Sequence, residues 1–176
     1  MHLRADTCEH IKITAINTLE YYDIKCVPIS AFEMANKIGL SVFPYSAFGE
    51  KAELLMKLSE DGFICGTSVY YNDKCKIYGR INHTIMHEVG HYILGHTSNG
   101  EEEEKEASFF AKYTLAPPPL IHKMLENPTI EDIAEIFDIS YTAARNALNY
   151  YKKWYYYGEI DFTPYEEKLL RLFNVA

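Results

Sequence analysis

The sequence predicts an α+β chain in which a small antiparallel sheet sits among helices and a helix-only stretch follows. Three observations predict it. Two strand-like runs, Phe63 to Tyr71 and Cys75 to Ile81, flank Asn72-Asp73-Lys74, a join whose Asn and Asp favour a hairpin. Apolar residues recur at helical spacing on both sides of these runs. Beyond Pro117-Pro118-Pro119, every periodic segment is helical.

The elements follow in order. Residues 8–23 place Ile11, Ala15, Leu19 and Tyr22 on one helical stripe. Pro28 and Ser30 introduce a second helix, 30–38, which Gly39 closes. Leu40 to Tyr45 is β-branched and aromatic and reads as a strand, and 50–60 reads as a helix. After the predicted hairpin comes a helix over 84–94, closed by Gly95. An acidic loop leads to a long helix over 101–115, which the prolines stop. The remaining helices are 119–126, 129–137, 140–157 and 164–173. The proline run divides the chain into a core, 1–118, and a C-terminal helical subdomain, 119–176.

Composition narrows the function. The 176 residues are 48% hydrophobic and 24% charged, enough to bury a core. The net charge of −8 argues against holding nucleic acid by bulk electrostatics, which needs clustered Lys and Arg. No run approaches the length of a membrane span, and the first residues lack the pattern of a secretory signal, so a cytoplasmic protein is expected. Cys8, Cys26, Cys65 and Cys75 form no C-x-x-C pair and read as reduced thiols. Aromatic content is high, with 15 Tyr and 9 Phe.

The chemistry lies in His87-Glu88-Val89-Gly90-His91, an H-E-x-x-H pattern. On a helix, positions i and i+4 share a face, so both imidazoles can reach one ion. Glu88 is then placed to take a proton from an attacking water. Met86, Val89 and Ile93 give the helix a core face distinct from the histidine face. Two imidazoles and a carboxylate suit Zn2+. A third histidine in the metzincin register would require Gly at 94 and His at 97, but the chain has Leu94 and Thr97, with His96 one place out. A glutamate from the next helix is the better candidate. Glu103 and Glu104 both fall on the buried side of helix 101–115, and periodicity does not choose between them.

The segment Asn82 to His96 resembles the motif region of the ImmA/IrrE family of zinc metallopeptidases. The run Glu104-Lys105-Glu106-Ala107-Ser108-Phe109-Phe110-Ala111, then Leu115-Ala116-Pro117, resembles that family's second motif, and Asp61-Gly62-Phe63 and Tyr71-Asn72 also fit. The resemblance covers roughly 25–120. It implies a zincin-like, gluzincin-type core in which His87, His91 and Glu104 hold Zn2+ and Glu88 is the catalytic base. Ser108 stands where the family has Asn, and the short connection from His91 leaves Glu103 and Glu106 as alternative third ligands. In zincin-like folds an edge strand pairs with the substrate backbone. That makes Lys76, Tyr78 and Arg80, on the predicted strand before the helix, candidates for substrate contact.

The C-terminal part invites a second reading. Thr129-x-x-Asp132 resembles a capping box, and Ser140 caps the following helix, which is helix–turn–helix spacing. Within 129–150, however, Arg145 is the only Arg or Lys, against Glu131, Asp132, Glu135 and Asp138. Packing or protein recognition is therefore expected there, not direct nucleic-acid contact. Tyr150, Tyr151, Trp154, Tyr155, Tyr156 and Tyr157 recur at helical spacing, as on a helix packed by one face or presented to a partner.

The expected function is a site-specific zinc metalloendopeptidase. By family resemblance its substrate is a helix–turn–helix repressor, encoded nearby, of a mobile element or stress response. The alternative is a helix–turn–helix transcription regulator, or a toxin–antitoxin-like interaction module with a non-catalytic zinc site.

Overall fold

The computed structural model describes residues 3–74, 77–98, 100–157 and 161–176. Nine α-helices and three strands are present among them. Helix α1 (Ala5–Tyr21) buries Ile11, Ala15, Ile16 and Leu19, the predicted stripe in large part. Helix α2 (Ala31–Ile38) is capped by Ser30, whose Oγ accepts from the Glu33 N–H at 3.2 Å. Gly39 ends it in the left-handed conformation. Strand β1 (Ser41–Pro44) leads through a 3-10 segment (Tyr45–Lys51) into α3 (Ala52–Leu58).

The sheet corrects the prediction. Strands β2 (Gly62–Cys65) and β3 (Ser68–Tyr71) are both cut from the single run 63–71, and they pair antiparallel, Phe63 opposite Tyr70. The turn is made by Gly66, with φ +59°, and Thr67, not by 72–74. Asn72 instead spans a loop, donating to the Glu60 carbonyl at 2.8 Å and accepting from the Lys74 N–H at 3.0 Å. Strand β1 pairs parallel with β3, so the sheet is mixed, in the order β1-β3-β2, rather than antiparallel throughout.

Nor do the described residues of 75–81 form a strand. Cys75 and Lys76 lie outside the described residues, and helix α4 (Tyr78–Leu94) has begun by Tyr78, six residues before the predicted start. The aromatic and β-branched residues Ile77, Tyr78 and Ile81 read locally as strand, but tertiary contacts prevail. A Cβ on Gly79 would stand 2.8 Å from the Ser140 backbone nitrogen, so only glycine lets the first turn of α4 pack there. Asn82, fully buried, accepts from the Ala31 N–H at 2.7 Å and donates to the Ile29 carbonyl at 2.9 Å, tying α4 to the start of α2.

Helix α5 (Glu101–Leu115) has its predicted bounds. Helices α6 (Pro118–Met124), α7 (Ile130–Phe137), α8 (Tyr141–Tyr157) and α9 (Pro164–Leu172) follow. Thr129 caps α7, accepting from the Asp132 N–H at 3.2 Å while Asp132 accepts from the Thr129 N–H at 3.1 Å. Ser140 Oγ accepts from the Ala143 N–H at 3.2 Å at the start of α8. One buried apolar cluster takes residues from both sides of the proline run, from Ile11 on α1 through Ile85 and Phe110 to Leu169 on α9. No helix among the described residues is long and apolar enough to cross a membrane.

Candidate metal centre

Helices α4 and α5 lie side by side, and Gly90 sets their approach. A Cβ there would meet Phe110 Cδ1 at 3.1 Å and the Ala107 carbonyl oxygen at 3.2 Å. With the helices this close, the i and i+4 histidines of α4 face the first turn of α5. His87 Nε2 and His91 Nε2 stand 3.1 Å apart. Glu104 places Oε2 3.2 Å from the first and Oε1 3.3 Å from the second.

These distances test whether the donors suit a metal. Zinc bonds to nitrogen and oxygen are about 2.0–2.1 Å, so tetrahedral ligand atoms are separated by about 3.3 Å. In the structure the two nitrogens are 3.1 Å apart, and each has one of the two Glu104 oxygens at 3.2 or 3.3 Å. Burial pushes both imidazoles below their ordinary pKa against the opposing pull of Glu104, which favours the neutral, metal-binding form. The donor set and its spacing therefore fit a small divalent ion, with His87, His91 and Glu104 as the residues that would hold it.

The neighbouring glutamates have other partners. Glu103 accepts from Ser98 Oγ at 2.5 Å and from the Gly100 N–H at 3.5 Å, closing the N-terminus of α5. Glu106 lies 3.0 Å from His96. Of the three, Glu104 alone stands with both imidazoles. Ser108 Oγ lies 3.3 Å from His87 Nδ1, at the back of the site.

Glu88 lies beside the triangle, 7% exposed. Burial, reinforced by the charge of Glu104, pushes its carboxyl up to about 7, against the backbone N–H of Ile64, which donates to it. Ile64 belongs to β2, one of the two edge strands, and β2 forms one wall of a cleft of about 700 Å³. His83, one turn before His87, lines the same cleft, and burial, with the charges of His87 and Lys112, pushes its imidazole down to about 4.

The structure brings together His87, Glu88, His91 and Glu104, and it places Tyr78 and Arg80 on helix α4 rather than on a strand. Tyr78 lies in the first turn of α4, stacked on Phe32 at 6.4 Å between centroids, and Arg80 pairs with Asp61. Lys76 lies outside the described residues. The sequence alone does not show β2 as the cleft wall, because 63–71 reads as one strand through Gly66, and by spacing His96 is only one place out of the metzincin register.

The IrrE N-terminal-like domain of peptidase family M78 matches residues 42–149, more than half of the chain. The chain belongs to the ImmA/IrrE family. The match runs from β1 into α8 and takes in the whole triangle and Glu88. ImmA/IrrE peptidases are metal-dependent, in keeping with the donor set. No curated protein and no solved structure matches the chain.

Proposed function

We propose that this ImmA/IrrE chain is a zinc metalloendopeptidase that cleaves a cytoplasmic regulatory protein, a helix–turn–helix repressor encoded nearby. The observation that carries the reading is a buried carboxylate, Glu88, held beside three donors at zinc-ligand spacing in an open cleft. His87, His91 and Glu104 would hold the ion. Zinc bound there supplies a Lewis acid for the scissile carbonyl and a nucleophilic water near neutral pH.

The chain's own residues do the rest. Glu88 takes the proton of the attacking water and returns it to the departing amine. Its carboxyl, pushed up to about 7, is close to the affinity that such a shuttle needs at neutral pH. Strand β2 carries its pairing partner β3 on one side only. An extended substrate segment would lie along its other side, at the cleft. Tyr155, Tyr156 and Tyr157, exposed by 60%, 82% and 89%, are suited to docking the substrate protein away from the cleft.

Co-expression with the adjacent open reading frame tests this. Wild type should generate a cleavage product. Glu88→Gln should keep about one zinc per chain and lose cleavage by 100-fold or more, and His87→Ala should lose both. Cleavage by Glu88→Gln at the wild-type rate would remove the peptidase reading. A chain that binds zinc but cleaves in neither form would favour the interaction module.

A further inference from the structure

We propose that His96 and Glu106 are positioning residues, forming a proton-ordered relay behind His91 that fixes its ring orientation and tautomer for metal binding. The inference rests on the zinc-site reading above.

The backbone sets it up. Gly95, at φ +71°, ends α4 in a Schellman turn, with the Gly95 N–H donating to the Tyr92 carbonyl at 3.2 Å and the His96 N–H to the His91 carbonyl at 3.0 Å. That turn folds residue 96 back over the last turn of the helix. The side chain of His96 is 6% exposed, and its Nδ1 lies 3.0 Å from Nδ1 of His91. The two rings meet edge to face, with centroids 5.0 Å apart. On the far side, His96 Nε2 lies 3.0 Å from Glu106 Oε2.

Proton positions follow from one constraint. His91 turns Nε2 toward the donor triangle, so a ligating His91 carries its proton on Nδ1. Its only described acceptor there is His96 Nδ1, which must be unprotonated. The neutral His96 then carries its proton on Nε2 and donates it to the Glu106 carboxylate. Each ring nitrogen in the chain has one role, and each bond has one proton. The same helix turn of α5 thus supplies a carboxylate to the front of the site from Glu104 and one to its back from Glu106. It also explains why a histidine five residues after His91 is not a third ligand: it reaches the other nitrogen of the same imidazole.

The test measures zinc affinity of the full chain by competition with a chromophoric chelator at pH 7.4. His96→Phe keeps a ring of similar size but no acceptor, and Glu106→Ala removes the terminal acceptor. Each should weaken zinc binding 10–100-fold, whereas Glu106→Gln, whose carbonyl oxygen still accepts, should stay within about 3-fold. The double variant His96→Phe/Glu106→Ala should be no weaker than His96→Phe alone, because both break one chain. His96→Phe binding zinc as wild type does would overturn the relay. Wild type that binds no zinc would overturn the site reading and the relay with it. A second readout does not depend on the variants folding. Nitrogen-15 imidazole spectra of the zinc-loaded wild type should show His91 protonated at Nδ1 and His96 at Nε2, and an Nδ1-protonated His96 would overturn the proposal.

Discussion

Three consecutive or near-consecutive glutamates of α5 divide into three roles, and only their neighbours tell them apart. Glu103 closes the helix start, Glu104 faces the imidazoles and Glu106 faces His96. Helical periodicity narrowed the metal candidates to Glu103 and Glu104. It could not separate them, because the Ser98 hydroxyl that engages Glu103 comes from the preceding loop. His83 shows another property hidden from sequence, a neutral imidazole held by burial. Its pKa is about 4 in the fold against about 6.5 when unfolded. Its neutral form is therefore favoured in the fold, and that stability is complete above about pH 6.5. It is lost as pH falls from there toward 4, as the unfolded chain takes up a proton that the fold resists. His83→Gln should remove at most about 3 kcal/mol of this acid destabilisation. Urea titrations of both chains at pH 7.5 and pH 4.5 check it, and identical losses in the two would refute it.

At the scale of elements, α4 is the organising piece. Its two histidines and Glu88 were legible because i, i+4 spacing on a helix needs no partner to interpret. Its true start was not, because the reason is remote: Gly79 against the α7–α8 connection and Asn82 against the start of α2. Asn82 makes two bonds in a fully buried position, so Asn82→Ala leaves both the Ala31 N–H and the Ile29 carbonyl without their partner. The expected cost is about 2–4 kcal/mol, seen as a lower urea midpoint with an unchanged m-value. A loss under about 1 kcal/mol would show that water or a backbone shift satisfies these groups. The strands were misplaced for a related reason. Residues 63–71 look like one strand, and the two-residue turn at Gly66 is visible only once β2 and β3 are seen paired.

Across the whole molecule, the two ends of the chain meet. Helix α9 packs on α1 through buried Leu169, and Lys12 donates to the Tyr165 hydroxyl at 3.1 Å. Helix α1 in turn packs on α5, which carries Glu104, so the candidate metal site is supported by both α1 and α9. A zinc ion that binds only the folded chain adds stability by mass action. Free zinc at one hundred times Kd should add about 2.7 kcal/mol, a rise in Tm of about 5–11 °C for a chain of this size. Chelator should reverse the rise, and His87→Ala should not show it. An equal rise in His87→Ala would place the stabilising ion elsewhere.

By itself the sequence determined what local patterns carry. It specified the helices with strong periodicity, their caps at Ser30, Thr129 and Ser140, the pairing of His87 with His91, and the family. Tertiary structure decided the mixed sheet, the early start of α4, the separate partners that set Glu103 and Glu106 apart from the Glu104 implied by the family resemblance, and the partnership of His96 with Glu106. These depend on groups far apart in the chain coming within about 3 Å of one another, and neither periodicity nor spacing carries that distance.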